Sequence, residues 1–368
     1  MLDATIIGAG PAGCVAAILL ARRGRRVALV EQQRFPRDKV CGECLSSLGI
    51  EVLERLALRE AIALHRPTRL ARTALVAPSG TAATIDLPRA MWGISRAALD
   101  TALLEVAKES GAQLVQPGRC ESIDAETRTV AVRHLATNET ITIESRAILL
   151  ADGKAACGAA RPAATSDLGI KAHFADVDDA PDTISLFGLR GHYVGLAAIE
   201  GLRWNVAMSV PAARVKRFGG DLNALFQQCV SENAGLAHRF RAARRITDWL
   251  ASPLPRFPVA RAGACLANVV TLGNAAAALE PIGGEGMGLA MRSAELAAEA
   301  VDAALTGDRP VDQETLRNAY DALWRRRRVA ARAAAVLMSS PRIARVTVAV
   351  LRWNGSLALP ALAPLGKL

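Results

Sequence analysis

A short apolar run, Thr5-Ile6-Ile7, breaks at Gly8-Ala9-Gly10 and resumes as Pro11-Ala12-Gly13-Cys14-Val15-Ala16-Ala17. The pattern predicts a buried strand, a glycine turn and a helix over 11–23, closed by Gly24. A second apolar run, Val27-Ala28-Leu29-Val30, ends at Glu31. Apolar spacing predicts a further helix over 46–64, two strands over 70–77 and 81–87 around Pro78-Ser79-Gly80, and a helix over 97–110 capped by Ser95. Small strands follow at 114–115, 120–123, 129–135 and 140–143. Arg146-Ala147-Ile148-Leu149-Leu150-Ala151 reads as a central parallel strand that delivers Asp152-Gly153 at its carboxyl end.

From 169 to 211 the pattern changes to antiparallel strands. The runs 193–199 and 203–210 form a hairpin, with Trp204, Val206 and Met208 on one face and Asn205, Ala207 and Ser209 on the other, wet or ligand-facing side. A helix is expected over 221–249. A buried strand over 269–272 then runs into Gly273-Asn274, and a loop from Glu280-Pro281-Ile282 to Gly283-Gly284-Glu285-Gly286-Met287-Gly288 opens a long helix over 289–305. The last sixty residues are helical and rich in arginine.

The fold this implies is α/β: a Rossmann-type dinucleotide-binding domain with an inserted antiparallel-sheet substrate domain and a C-terminal helical tail. The expected partition is 1–68, 96–165 and 260–305 for the first domain, 69–95 and 166–259 for the second, and 306–368 for the tail. The chain has 368 residues, 51% of them hydrophobic and 22% charged, which is ample for a core and excludes wholesale disorder. The net charge of +10 admits nucleic acid, an anionic membrane surface or acidic ligands. With 4% aromatics and no basic stretch interleaved with stacking rings, nucleic acid is set aside. Seven scattered cysteines argue against a secreted disulfide framework. No signal peptide or membrane span is visible, so a cytoplasmic location is expected, with peripheral contact at the inner face of the membrane as a further reading of the basic tail.

The chemistry starts at the first turn. Gly8 tightens it, Gly10 lets backbone approach a pyrophosphate, and Gly13 allows close helix–strand packing. The helix N-terminus then aims free N–H groups at phosphates, and Glu31 is placed to grip a ribose hydroxyl. The glycine loop before 289 aims a second helix N-terminus at the ligand. Between them, Arg34-Phe35-Pro36-Arg37-Asp38-Lys39-Val40-Cys41-Gly42-Glu43-Cys44 is too long for a simple connection and suits a phosphate-rich ligand. Its Cys41/Cys44 pair reads as a redox disulfide or as two small residues beside a cofactor. Zinc is not expected, because no second ligand pair completes a site.

These motifs, in this order, resemble the FAD-dependent monooxygenases of the para-hydroxybenzoate hydroxylase type. Lys39-Val40-Cys41-Gly42-Glu43 and Gly284-Glu285-Gly286-Met287-Gly288-Leu289-Ala290 are most similar to the geranylgeranyl-reductase-like and flavin-halogenase-like branch. The likeness covers about residues 1–305. It implies FAD held by Gly8, Gly10, Pro11, Ala12, Gly13, Glu31, Gln32, Arg37, Cys41, Gly42, Arg96, Asp152, Gly153, Gly273, Asn274, Pro281, Gly284, Gly286, Met287 and Gly288, with no metal and with NAD(P)H as a transient reductant. Asn274 stands where the family usually has an aspartate. The usual serine after Asp-Gly is missing from Lys154-Ala155-Ala156-Cys157, and no Trp-x-Trp-x-Ile-Pro run is present, which argues against halogenation.

Three functions follow from that resemblance. The first is an NAD(P)H-driven monooxygenase hydroxylating an apolar phenolic, polyketide or quinol-lipid substrate, as in secondary metabolism, with or without a separate flavin reductase. The second is a flavin-dependent reductase or dehydrogenase of an isoprenoid or polyene chain. The third is a non-catalytic flavin holder at a membrane surface. Candidate catalytic side chains are Cys41, His192, Tyr193 and Glu285, with His173 and Glu280 nearby in the pattern. Each is also readable as a structural residue.

Overall fold

The computed structural model describes residues 1–153, 167–254 and 269–358. Five parallel strands form the spine of the first sheet, in the spatial order Gln113–Val115, Val27–Val30, Leu2–Ile7, Thr140–Leu150 and Val269–Thr271. Ile7 sits opposite Val30 on one side and Leu150 on the other. Their apolar runs are buried because helices cover the sheet. Pro11–Arg22 packs against Arg96–Glu109 and Gly286–Thr306. Ser95 caps its helix as expected, its hydroxyl accepting from Ala98 N at 3.1 Å. The two strands expected at 140–143 and 146–151 are one. The outer half of Thr140–Leu150 pairs antiparallel with Thr129–His134, so nothing interrupts the ladder at Glu144-Ser145.

A nine-stranded second sheet has at its centre Leu168–Ala175, Arg203–Val210, Tyr193–Ile199, Thr183–Gly188, Thr68–Val76 and Ala82–Gly93. It is not wholly antiparallel: Thr183–Gly188 runs parallel to Thr68–Val76, whereas its other neighbour is antiparallel. Trp204, Val206 and Met208 pack into an apolar cluster with Phe174 and Phe226. That leaves Asn205, Ala207 and Ser209 for the opposite face.

Two expected helices are broken. The stretch 46–64 forms Ser47–Arg55 and Arg59–Ala63, with Ala57 between them at φ 54°. The stretch 221–249 forms Leu222–Glu232 and Ala234–Arg239, followed by the short strands Arg244–Arg245 and Leu250–Pro253. Asn233 imposes that break. It stands at φ −137°, and its side-chain oxygen accepts from Gly235 N and Leu236 N at 3.0 and 3.1 Å, starting a new helix. The tail forms Gln313–Met338 and Pro341–Trp353, which meet at 107°. The first is held to the parallel sheet by Tyr320, whose hydroxyl donates to Thr271 O at 3.0 Å. No single helix among the described residues is long and apolar enough to cross a membrane.

Candidate functional site

The carboxyl ends of the parallel strands place Gly8, Glu31, Asp152 and Gly273 at one edge of the sheet, where open α/β sheets receive ligands. Gly8 adopts φ +100°, and a Cβ there would stand 2.6 Å from Ala151 O. A Cβ on Gly13 would stand 1.8 Å from Gly8 O, so the helix can lie on the turn only as glycine. Glu31 is tied beneath the turn. Its carboxylate accepts from Ala9 N at 3.0 Å and Gln33 N at 2.8 Å. Gln32 is exposed.

Cations gather above the turn. Arg96 is paired with buried Asp100, its Nε 2.8 Å and its Nη2 2.5 Å from the carboxylate oxygens. Arg37 reaches the same carboxylate at 3.0 Å and Glu31 at 3.8 Å. Its Nε is buried and without a hydrogen-bond partner among the described residues. Lys39 is pushed down to about 8 by burial and by the neighbouring Arg96 and Arg37. Its Nζ lies 3.1 Å from where a Cβ on Gly153 would be, and a Cβ on Gly10 would sit 3.7 Å from Arg96 and 4.0 Å from Arg37. Three buried cations therefore face two carboxylates across a space kept open by glycine. A pyrophosphate dianion fits this arrangement: it would supply the missing charge and acceptors for the helix N-terminus and Arg37.

From this point a cleft of about 1600 Å³, its mouth included, runs on toward the second sheet. Pro11, Ala12, Gly273, Asn274, Pro281 and Met287 line the cofactor end, together with Gly284 and Gly286. Gly284 takes φ +66° against Met91 and Cys44. Gly288 has a different task. A Cβ there would fall 2.2 Å from Ser46 Oγ and 2.9 Å from Gly49 N, so it lets two helices touch and does not line the cleft. The far end is apolar, walled by Ile184, Leu186, Gly195, Ala197 and Ala207.

The loop carrying Lys39, Cys41 and Gly42 is clamped between the two sheets. Asn205 donates to Cys41 O at 3.0 Å. Glu43, fully buried and at φ 55°, accepts from Arg96 N at 2.9 Å, from Lys171 Nζ at 2.6 Å and from His173 Nε2 at 2.6 Å. Lys171 also donates to Asp38 at 2.9 Å. Burial works to raise the Glu43 carboxyl, but the His173 hydrogen bond and the Lys171 charge prevail and hold it down. Asp38, Glu43 and His173 have the spacing of a metal-ligand set, but the Lys171 ammonium bonds to both carboxylates and lies 3.3 Å from His173. Cys41 and Cys44 are not joined by a disulfide, and Cys120 is disulfide-bonded.

The remaining candidates separate clearly. His192 does not line the cleft; its ring lies against Arg190 O at 3.0 Å and Cys229 Sγ at 3.4 Å, and burial pushes it down to about 4. It is a neutral structural residue. Glu285 is buried with Arg327 3.9 Å away. Tyr193 does line the cleft, and its hydroxyl donates to Glu280 at 3.2 Å. Burial and the Glu280 carboxylate push the phenol up, so it stays protonated. Glu280 is itself raised by burial and meets Arg332 at 3.3 Å.

Residues 1–185 match the model of the FAD binding domain family. The chain belongs to that family. It is an FAD-dependent oxidoreductase of the para-hydroxybenzoate hydroxylase type, which removes the non-catalytic reading. It is 26% identical over 404 aligned positions to the menaquinone reductase of Mycolicibacterium smegmatis, an alignment covering 100% of this chain and 91% of that one. It is 30% identical to a kynurenine 3-monooxygenase of Xanthomonas oryzae over 47% of this chain and 40% of the relative. A flavin-dependent brominase superposes with a TM-score of 0.81 at 20% identity, covering 100% of this chain and 93% of the brominase, which speaks to fold alone.

Two residues of the flavoprotein site escaped the sequence. Lys39 stands in the sequence as part of a basic, family-like loop with no role of its own, and its neighbours Arg37 and Arg96 are what give it meaning. Lys171 lies in Leu168–Ala175, a strand buried along all but its two end residues, where a lone lysine carries no signal until Glu43 is seen beside it. The stretch 154–157, where the family's serine is missing, lies outside the described residues.

Proposed function

We propose that this flavoprotein is a reductase of an apolar, isoprenoid-type chain such as that of a lipid quinone, with NAD(P)H as the source of electrons. The observation that carries this is the cleft: one continuous space joins the cofactor cradle to an apolar wall of small residues, and its ionisable side chains are donors or are already paired. Hydroxylating a phenol calls for a base to ionise the ring hydroxyl. Glu43 and His173 are committed to each other and to Lys171. Tyr193 holds its proton. Reducing a carbon–carbon double bond calls for the opposite, a protonated donor facing an apolar chain.

Bound FAD supplies hydride chemistry. Arg37, Lys39 and Arg96 would hold its pyrophosphate, with Glu31 on the adenosine side and Asn274, Pro281 and Gly284 toward the ring. Gly195, Ala197 and Ala207 leave room for the chain and keep water from it. The Tyr193 hydroxyl would supply the proton to the substrate carbon, and Glu280, its hydrogen-bond partner with a carboxyl raised by burial, would return one to it. Full-length similarity to a menaquinone reductase supports this substrate class.

The second reading, oxygen insertion into a quinol or phenolic lipid, is favoured by the similarity to a kynurenine 3-monooxygenase. One experiment separates them. The holoprotein is reduced with NADPH, mixed with a polyprenyl naphthoquinone under labelled oxygen, and the product is weighed. Gain of two hydrogens located in the polyprenyl chain, undiminished without oxygen, is expected. Incorporation of one labelled oxygen atom overturns the reductase in favour of the hydroxylase. Tyr193→Phe should lower turnover about 100-fold while leaving bound flavin unchanged.

A further inference from the structure

The chain's charge is unevenly distributed. After Asp321 the sequence contains no aspartate or glutamate, yet it carries eight arginines from Arg325 to Arg352. Nearly the whole net charge of +10 thus lies in the tail. The inner faces of its two helices are filled: Trp324, Ala331, Ala335, Met338, Ala344 and Val348 are buried. Outside, apolar residues interrupt the charged ones, more than a solvated helix would show. Val336, Ile343, Val346, Val350, Trp353 and Leu357 are exposed, Trp353 by 84% and Val346 by 63%. Exposed Arg342, Arg345 and Arg352 alternate with them, and among the described residues none of the three meets a carboxylate. Two of these arginines and Trp353 also border a groove against the hydroxyls of Ser79 and Thr81 on the 77–81 turn.

We propose that this face docks on an anionic lipid bilayer, with Ile343, Val346, Val350 and Trp353 entering the acyl boundary and Arg345 and Arg352 taking lipid phosphates at the groove. Arginines that reach up past apolar neighbours are the composition of an interfacial helix, and an exposed indole suits the headgroup level. A nucleic-acid surface would not place valine and isoleucine between its cations. The face adjoins the cleft. Gly191 N donates to Ser339 O at 2.8 Å and Arg332 meets Glu280, so the docking helices brace the turn that follows Thr183–Gly188, the strand whose Ile184 and Leu186 line the cleft. The proposal does not depend on which reaction the flavin performs.

Flotation of the FAD-loaded protein tests it, with vesicles of phosphatidylcholine alone or mixed with phosphatidylglycerol. Binding should be confined to the anionic vesicles and weaken with added salt. The double variant Arg345→Glu, Arg352→Glu should bind them at least about tenfold less tightly while keeping its flavin and its NADPH oxidation. Trp353→Ser should weaken binding without changing its salt dependence. Equal flotation with neutral vesicles, or undiminished flotation of the flavin-loaded double variant, overturns the proposal. So does retention of a DNA or RNA oligonucleotide by a protein that ignores the anionic vesicles.

Discussion

At the cofactor end of the cleft, three buried cations face two carboxylates: Arg37, Lys39 and Arg96 against Glu31 and Asp100. Beneath the neighbouring loop the ratio is reversed, with Lys171 between Glu43 and Asp38 and with His173 closing the set. The first cluster has one cation in excess, whereas in the second both carboxylates meet the Lys171 ammonium. An excess of positive charge, an unpartnered Arg37 Nε and open glycine space mark a place prepared for a ligand. A set whose carboxylates are both tied to one central ammonium marks a joint. The distinction matters because a list of buried ionisable groups would rank the two together, and the second even has metal-ligand spacing. Substitutions should therefore act on different observables at the two ends.

The largest effect belongs to the closed cluster. Lys171→Met leaves the buried Glu43 carboxylate without its ammonium, and breaking such a pair costs about 3–5 kcal/mol. The urea midpoint should fall accordingly. Adding Glu43→Gln should recover part of the loss, because no charge is then left orphaned. An unchanged midpoint in Lys171→Met would show that the cluster is not the joint described. At the open end, Arg37→Met should do the reverse. The apoprotein loses little or gains, since one uncompensated charge is removed. FAD affinity should drop about 10- to 100-fold, the worth of a charge-assisted hydrogen bond or two. Flavin fluorescence titration checks this, and equal affinity would remove Arg37 from the pyrophosphate site.

The open end was far more legible in the sequence than the closed one. Gly8, Gly10, Gly13 and Glu31 are dictated by local geometry, since each answers to a turn or strand end within the same βαβ unit. Gly288 shows the limit of that reasoning: it belongs to a glycine-rich run, but what excludes its side chain is Ser46 and Gly49, far away in the chain. Lys171 and Glu43 are 128 residues apart, and neither has a neighbour that announces the other. Asn233 looks unremarkable inside a helical pattern, and its side chain breaks the helix by capping the next one. His192 is a candidate in the sequence because it falls in the presumed substrate sheet. It stands just before the strand Tyr193–Ile199, with its ring turned to Arg190 O and Cys229.

The smallest effect, and the one that tests the charge excess most directly, is the pH dependence conferred by Lys39. Its ammonium titrates near 8 in the folded protein because it is buried beside Arg96 and Arg37, against 10.5 ordinarily. Between those values the unfolded chain holds a proton that the folded apoprotein has released. Apoprotein stability should therefore rise with pH across that window, as a costly buried charge disappears. FAD binding should show the opposite sign. A pyrophosphate dianion favours charged Lys39, so above pH 8 each binding event must take up a proton, and affinity should fall by up to about tenfold per pH unit. Lys39→Met should flatten both slopes, and Lys39→Arg should keep the affinity while abolishing its pH dependence, because guanidinium does not titrate in this range. Retention of the same affinity slope in Lys39→Met would assign the titration elsewhere and leave the cation excess at the open end without its clearest signature.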